Sequence, residues 1–283
     1  ENVMPRFGTL NIEPAQKVIR EVFLKRIVKA KGLSKTDSLL SGILMPTPSS
    51  VMRAIELLAC GCEEEDGIGD LLAVDVGGAT TDIYSVSDGA PTRANTVRKG
   101  LPEPFVKRTV EGDIGMRYSI RGIAEAVGIP RLSQISGIQA PRVEERIAYL
   151  RAHTDVTPNG DPELEALDRA LASCAIETAV TRHAGTLEEA YTMMGLTYVQ
   201  SGKDLSGVRN LVVTGGSLIH TSRTAEIASY ALFNPTQPTS LRPKEARVLV
   251  DRKYILSAMG LLAEQHPACA LRLMKKEITL DGD

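Results

Sequence analysis

The 283-residue sequence has no tryptophan and only four phenylalanines and seven tyrosines, too few aromatic faces for a base-stacking nucleic-acid surface. It also has little net charge: 33 Lys and Arg against 35 Asp and Glu leave −2, so no bulk attraction to nucleic acid or to an anionic membrane is expected. Four cysteines, Cys60, Cys62, Cys174 and Cys269, are too few and too scattered for a disulfide framework, which predicts a reduced, cytoplasmic setting. Cys60-Gly-Cys62 lacks the usual C-x-x-C spacing and has no second Cys/His pair nearby, which argues against a metal or redox role. No apolar run approaches the ~20 residues of a membrane span, and the N-terminus lacks the basic-then-apolar order of a signal peptide. With these classes set aside, 43% hydrophobic and 24% charged residues describe an ordinary globular chain with room for about two domains.

Residues 71–86, Leu-Leu-Ala-Val-Asp-Val-Gly-Gly-Ala-Thr-Thr-Asp-Ile-Tyr-Ser-Val, are the most informative stretch. Two apolar runs, Leu71 to Val74 and Ile83 to Val86, read as strands joined by a Gly-Gly turn with two hydroxyls. Gly77 and Gly78 lack Cβ, so the backbone is free to bend and bring its N–H groups against an anion, with Ala79, Thr80 and Thr81 continuing the cradle. Asp75, ending the first strand, is placed to hold a hydrated divalent cation through oxygen. That is a hairpin for a metal–nucleotide polyphosphate. The competing reading is an ordinary hairpin in which the glycines serve only the turn and the threonines are strand residues. Neither a Walker loop nor a dinucleotide fingerprint follows.

Elsewhere the pattern predicts a helix over 14–32, an extended Leu44–Pro48, and a helix opening at Ser49 or Ser50 that carries Val51, Met52, Ile55, Leu58 and Ala59. The run Glu63 to Asp66 reads as an acidic boundary loop, and residues 87–115 as turn-rich. Helices are expected near 119–127, 142–152, from Asp161-Pro162 to about His183, and around Leu187 to Met194, together forming a cap-like insertion. Asn210 to Thr214 is a strand ending in a second glycine turn, Gly215-Gly216-Ser217. Arg247 to Asp251 is a short strand and Tyr254 to Glu264 a helix. A strand followed by Gly-Gly lets a flat base or ribose lie against backbone, so one turn would hold phosphates and the other nucleoside; equally, Gly215 and Gly216 would suit a bare strand-to-helix junction.

These segments carry a resemblance. Pro46-Thr-Pro-Ser-Ser-Val-Met-Arg-Ala-Ile55 resembles the first connecting helix of the actin, hexokinase and DnaK-type chaperone superfamily. Asp75 to Asp82 resembles its second phosphate motif, Leu211 to Ser217 its adenosine motif, and Ile255 to Leu262 its second connecting helix, in the superfamily's order. Within it the chain is most similar to the glutamate mutase component L family, over nearly its whole length. The segments Leu44–Pro48, Arg108–Tyr118, Arg182–Gly185 and Asp251–Met274 carry that likeness. The usual third glycine of the second motif is Ala79 here.

The resemblance implies an α/β fold: an actin-like ATPase (ribonuclease H-like) domain with an inserted, mainly helical subdomain. Residues 1–65 would be the C-terminal part of the first actin-like domain, and 66–283 the second, with the insertion at about 100–205 and the second connecting helix at about 252–265. It implies ATP and Mg²⁺ as cofactors. Asp75 would orient a metal-bound or attacking water. Backbone at Gly77, Gly78 and Ala79 and hydroxyls of Thr80 and Thr81 would hold the β- and γ-phosphates. Asp82 would bind loop backbone or metal, and Gly215, Gly216 and Ser217 would contact adenosine. No Asp-x-Gly-Ser/Thr phosphate motif precedes Pro46, and the chain begins with Glu1 and not Met, so it is expected to be the C-terminal part of a longer protein carrying the rest of the cleft.

The implied function is a slowly hydrolysing, chaperone-like reactivating factor whose partners are the subunits of an adenosylcobalamin-dependent aminomutase, with neither nucleic acid nor membrane as partner. A small-molecule kinase of the same fold and a non-hydrolysing scaffold module are the alternatives. Arg108, Glu111, Asp113 and Arg117 read either as a partner surface or latch or as a salt-bridged loop. Arg182-His183 reads either as ligand-directed or as a cationic pair complementing a helix end.

Overall fold

A computed structural model describes residues 2–6, 11–12, 14–15, 17–19, 21–22, 45–193 and 195–281. The chain divides into two units, residues 1–50 and residues 51–283. In the first, the described residues between Pro14 and Val22 are helical; the remainder of the helix predicted over 14–32 lies outside the described residues, as does Leu44.

The next helix, Thr47–Cys60, begins earlier than predicted. Pro48 falls in its first turn, where a missing N–H costs nothing, and the amides of Ser49 and Ser50 close on Pro46 O. From Val51 onward it belongs to the second unit, whose strands are β1 (Gly61–Cys62), β2 (Glu65–Asp66), β3 (Leu71–Val76), β4 (Thr81–Val86), β5 (Thr96–Lys99), β6 (Val106–Glu111), β7 (Thr186–Thr192), β8 (Gly195–Ser201), β9 (Asn210–Thr214), β10 (Arg247–Val250) and β11 (Thr279–Leu280). Six of them form one sheet in the order β11-β10-β9-β3-β4-β6. β3, β4 and β6 run as an antiparallel meander, while β9 and β10 lie parallel to β3.

The sheet is covered on both faces, which is why β3 and β9 are almost wholly apolar. Period-two alternation sends Leu72, Val74, Val76 and Ile83 to one face and Leu71, Ala73, Tyr84 and Val86 to the other. Ala54, Ile55 and Leu58 of the helix Thr47–Cys60 cover the second face, with Leu256 of the helix Leu256–Leu262 and Leu271 and Met274 of the helix Pro267–Glu277. The first face is covered by the helix Pro162–His183, on which Ile120–Val127 and Ile129–Ser136 pack, with Ala140–Ala152 packed on those two.

The long helix packs directly on β3 and β4 and is not a detached cap. Its residues Leu167, Ala170, Leu171, Cys174, Ala175 and Ile176 are all fully buried, the pattern of a helix enclosed by its own domain. Asp161 caps it by accepting from the amides of Glu163 and Leu164.

Two segments differ from expectation. The turn-rich 87–115 contains β5 and β6, and Leu187 to Met193 is strand and turn where a helix was predicted. In both, β-branched and aromatic residues pair across strands: Val106 faces Val86, and Tyr191 faces Leu196. β5, β8 and β7 make a separate three-stranded sheet. Among the described residues, no helix is long and apolar enough to cross a membrane.

Candidate functional site

The predicted turn between β3 and β4 is a tight hairpin in which the Gly77 amide donates to Thr80 O at 2.9 Å. Neither Gly77 nor Gly78 has positive φ; the reason for glycine at 77 is proximity, since a Cβ there would lie 2.9 Å from Thr80 O. The carbonyl side of the hairpin is occupied. Met116 N donates to Gly77 O at 3.0 Å, and Arg117 N and Tyr118 N to Gly78 O at 2.8 and 2.9 Å.

The two hydroxyls differ. Thr81 is fully buried and donates to Ile114 O at 3.0 Å, so it serves the fold. Thr80 donates to Asp82 Oδ2 at 3.2 Å. Asp82 in turn accepts from Arg108 Nε and Nη2 at 3.0 and 2.6 Å.

Asp75 and Asp82 are directly paired across the ladder, so both project from the face that carries Ala73 and Tyr84. Asp75 Oδ1 is sealed from solvent and has no hydrogen-bond partner, although the rest of the side chain keeps some exposure. Burial, and after it the Asp82 and Asp251 carboxylates, push its carboxyl up to about 6. Asp251 accepts from the amides of Ile255 and Leu256 at 2.9 and 3.2 Å, at the start of the Leu256–Leu262 helix. Burial holds Asp251 above its ordinary value against those bonds. Tyr254 has φ +57°, a conformation unusual for an aromatic residue. Burial beside Asp75 and Asp251 raises its phenol to about 12, so it stays protonated at neutral pH.

The second glycine turn arrives beside the first because β9 is parallel to β3, with Thr214 opposite Asp75. Gly215 has φ +108°, and a Cβ there would collide with Val76 O, so only glycine closes this approach. Gly216 begins the short helix Gly216–Ile219 and opens into free space, with nothing within 4 Å of a Cβ placed on it. Ser217 Oγ is buried without a partner.

Both turns line one cavity of about 1010 Å³. Gly77 and Gly78 form one part of its wall and Gly216 and Ser217 another, with Tyr254 also lining it. The far side is the loop Thr154–Gly160, with Glu165, Asp168 and Arg169 of the long helix. Ala79, Thr80, Thr81, Asp82 and Asp75 do not line it. Asp75 belongs to the opposite face, behind the hairpin. Sequence reasoning missed the contributions of Thr154–Gly160, Asp168, Tyr254 and Asp251. Pro158-Asn159-Gly160 was a legible turn signal, but nothing in one dimension says which cavity a turn borders.

The charged segment 108–118 resolves into ion pairs: Arg108 with Asp82, Arg182 with Glu111 and Asp113, and Arg117 with Asp168. His183 does not complement a helix end as a cation. It is fully buried, hydrogen-bonded at Nδ1 to Thr109 Oγ1 and at Nε2 to Ser85 Oγ, both at 2.8 Å, and burial beside Lys107 and Lys203 depresses it to about 3, so it is neutral. All four cysteines are free. Among the described residues no three His, Cys, Asp or Glu side chains group as a metal cage, so a cation at Asp75 would retain most of its water.

Compared with known proteins, residues 1–278 match the family described as "MutL protein". The chain is 47% identical over 276 residues to "Protein MutL" of Clostridium tetanomorphum, covering 98% of this chain and 60% of that relative's length.

Proposed function

The chain belongs to the MutL protein family, and on that premise we propose that it is the nucleotide-binding second domain of an actin-like ATPase. It would act in the cytoplasm as a slowly hydrolysing reactivating factor for an adenosylcobalamin-dependent aminomutase such as glutamate mutase. The carrying observation is that two glycine turns far apart in sequence, Gly77-Gly78 and Gly216-Ser217, share one cavity. Topology supports the actin-like reading: an antiparallel three-strand meander, a crossover through the Pro162–His183 helix, then two parallel strands added beside the first. In such sheets ligands collect at the carboxyl ends of the parallel strands, where both turns lie.

The residues fit Mg-ATP. Asp75, behind the hairpin, would reach a hydrated cation through the part of its side chain that keeps exposure, the hairpin's carbonyl groups are turned to Met116–Tyr118, leaving the Gly78 amide for an anion, and Gly216 leaves an open wall. Mg-ATP, when bound, would supply the phosphoryl group and a divalent charge. The chain's own part is to present hairpin amides to the phosphates, Gly216 and Ser217 to the nucleoside, and Asp75 to a water. A carboxyl near 6 is suited to holding or accepting a proton close to neutral pH.

Calorimetric titration of Mg-ATP into this chain and into a full-length family member tests the reading. Binding by the full-length protein, with phosphate release accelerated by mutase subunits, is the expected result. Turnover that requires a small hydroxyl acceptor would make the protein a kinase, and no binding by either would leave a scaffold.

A further inference from the structure

Arg117 lines the cavity, and a cation in that position would ordinarily be assigned to an anionic ligand. Its hydrogen bonds say otherwise. The guanidinium has five N–H donors, and all five are engaged. Nε and Nη2 donate to Val156 O, each at 3.1 Å. Nη1 donates to Met116 O at 2.7 Å and Asp168 Oδ1 at 3.0 Å, and Nη2 also to Asp168 Oδ2 at 2.7 Å. Both side chains of the Arg117–Asp168 pair are nearly enclosed, at 11% and 14% exposure, and the fork-to-fork geometry fixes orientation as well as distance. No donor is left to face the cavity.

What the pair holds is specific. Arg117 sits in the 116–118 segment whose three amides capture Gly77 O and Gly78 O. Gly115, just before it, packs so closely on the Ala79 backbone that a Cβ has no room. Through Val156 O the same guanidinium ties this segment to the Thr154–Gly160 loop on the far wall, and through Asp168 to the long helix. A peptide whose carbonyl is held on one side has its N–H directed to the other.

On the footing of the nucleotide reading above, we infer that Arg117, held by Asp168, is a positioning residue: it sets the peptide orientation of the Gly77-Gly78 hairpin and links it to the far wall, without touching the ligand. The alternative role, a direct phosphate contact, predicts an effect of opposite sign. Asp168→Asn removes a negative charge from the cavity wall and frees the guanidinium. A ligand-contacting Arg117 would then bind a polyphosphate more tightly, whereas a strut would lose its anchor and bind it less.

The experiment uses the full chain with Asp168→Asn and Arg117→Lys, titrated with Mg-tripolyphosphate and Mg-ATP, alongside amide hydrogen exchange at Met116, Arg117 and Tyr118. The expected result for Asp168→Asn is roughly tenfold weaker binding of both probes and roughly tenfold faster exchange at those three amides, with the β3–β4 ladder unchanged, as for a lost buried partner. Arg117→Lys keeps the charge but not the fork, and is expected to be equally impaired. Tighter or unaltered tripolyphosphate binding by Asp168→Asn, or full function of Arg117→Lys, overturns the inference. So does global melting of both variants, which would make the pair a general support of the fold. If the wild-type chain binds neither probe, exchange alone decides the strut: faster exchange confined to 116–118 upholds it and unchanged exchange removes it, while the nucleotide reading itself fails only if the full-length family member also binds neither.

Discussion

Replacing Asp75 by Asn separates what this carboxylate costs the fold from what it does for the site. The carboxyl is moved from an ordinary 3.8 to about 6, first by burial and then by the Asp82 and Asp251 charges. The unfolded chain gives up this proton near 3.8 while the folded chain keeps it until about 6. Between those values the folded state binds more protons, so its stability falls as pH rises; below 3.8 nothing is lost, and above 6 the full cost is present. At ~1.36 kcal/mol for each pH unit the full cost is about 3 kcal/mol.

Asp75→Asn removes the titration and keeps the shape. Its amide brings a constant desolvation term of its own, so the prediction concerns the pH-dependent difference: relative to wild type, the variant gains about 2 to 3 kcal/mol between pH 4 and pH 7.5. Urea unfolding of both proteins across that range measures it, and titrating groups that do not interact with Asp75 cancel in the subtraction. The same variant is expected to lose Mg²⁺-dependent nucleotide binding, because a neutral amide no longer draws a hydrated cation to the part of this side chain that keeps exposure. Parallel stability curves would refute the burial argument; a stabilised variant that still binds Mg-ATP in a Mg²⁺-dependent way would refute the metal-side role.

The glycines of the second turn are predicted to part company. Gly215→Ala is expected to cost about 2 kcal/mol or more, since positive φ and a collision with Val76 O combine. Gly216→Val should leave unfolding nearly unchanged, with open space around its Cβ, while weakening Mg-ATP and sparing Mg-tripolyphosphate; calorimetry with the two probes checks this, and equal loss of both would make Gly216 a structural residue. Thr81→Val is expected to cost about 1 kcal/mol through its buried bond to Ile114 O without altering either affinity. His183 should oppose Asp75 in pH dependence: held neutral to about 3, it leaves the unfolded chain binding more protons below 6.5, so stability falls as pH drops, by about 2 kcal/mol between pH 6.5 and 5. His183→Gln should flatten that limb of the unfolding curve, and an unchanged limb would show that His183 is charged in the fold.

Much of this molecule was written locally. Leu71–Val76 and Thr81–Val86 are strands because short apolar runs rich in β-branched residues flank a Gly-Gly turn, and Pro162–His183 is a helix because an Asp-Pro start precedes a long run of good helix formers; neither needs a distant partner to be read. The glycine at 215 was legible for the same reason, as a turn after a strand. Segments with weak local preference were decided by pairing: Val106–Glu111 and Thr186–Thr192 became strands only because β4 and β8 offered them ladders. What tertiary structure alone decided was the site. The sequence determined two glycine turns and an acidic strand end. The parallel register of β9 on β3 put those turns on one cavity, burial and two neighbouring carboxylates raised Asp75, and five hydrogen bonds turned Arg117 from a free cation into a strut. Each depends on distance in space, across which Coulomb interaction, desolvation and hydrogen bonding act and to which residue order is blind.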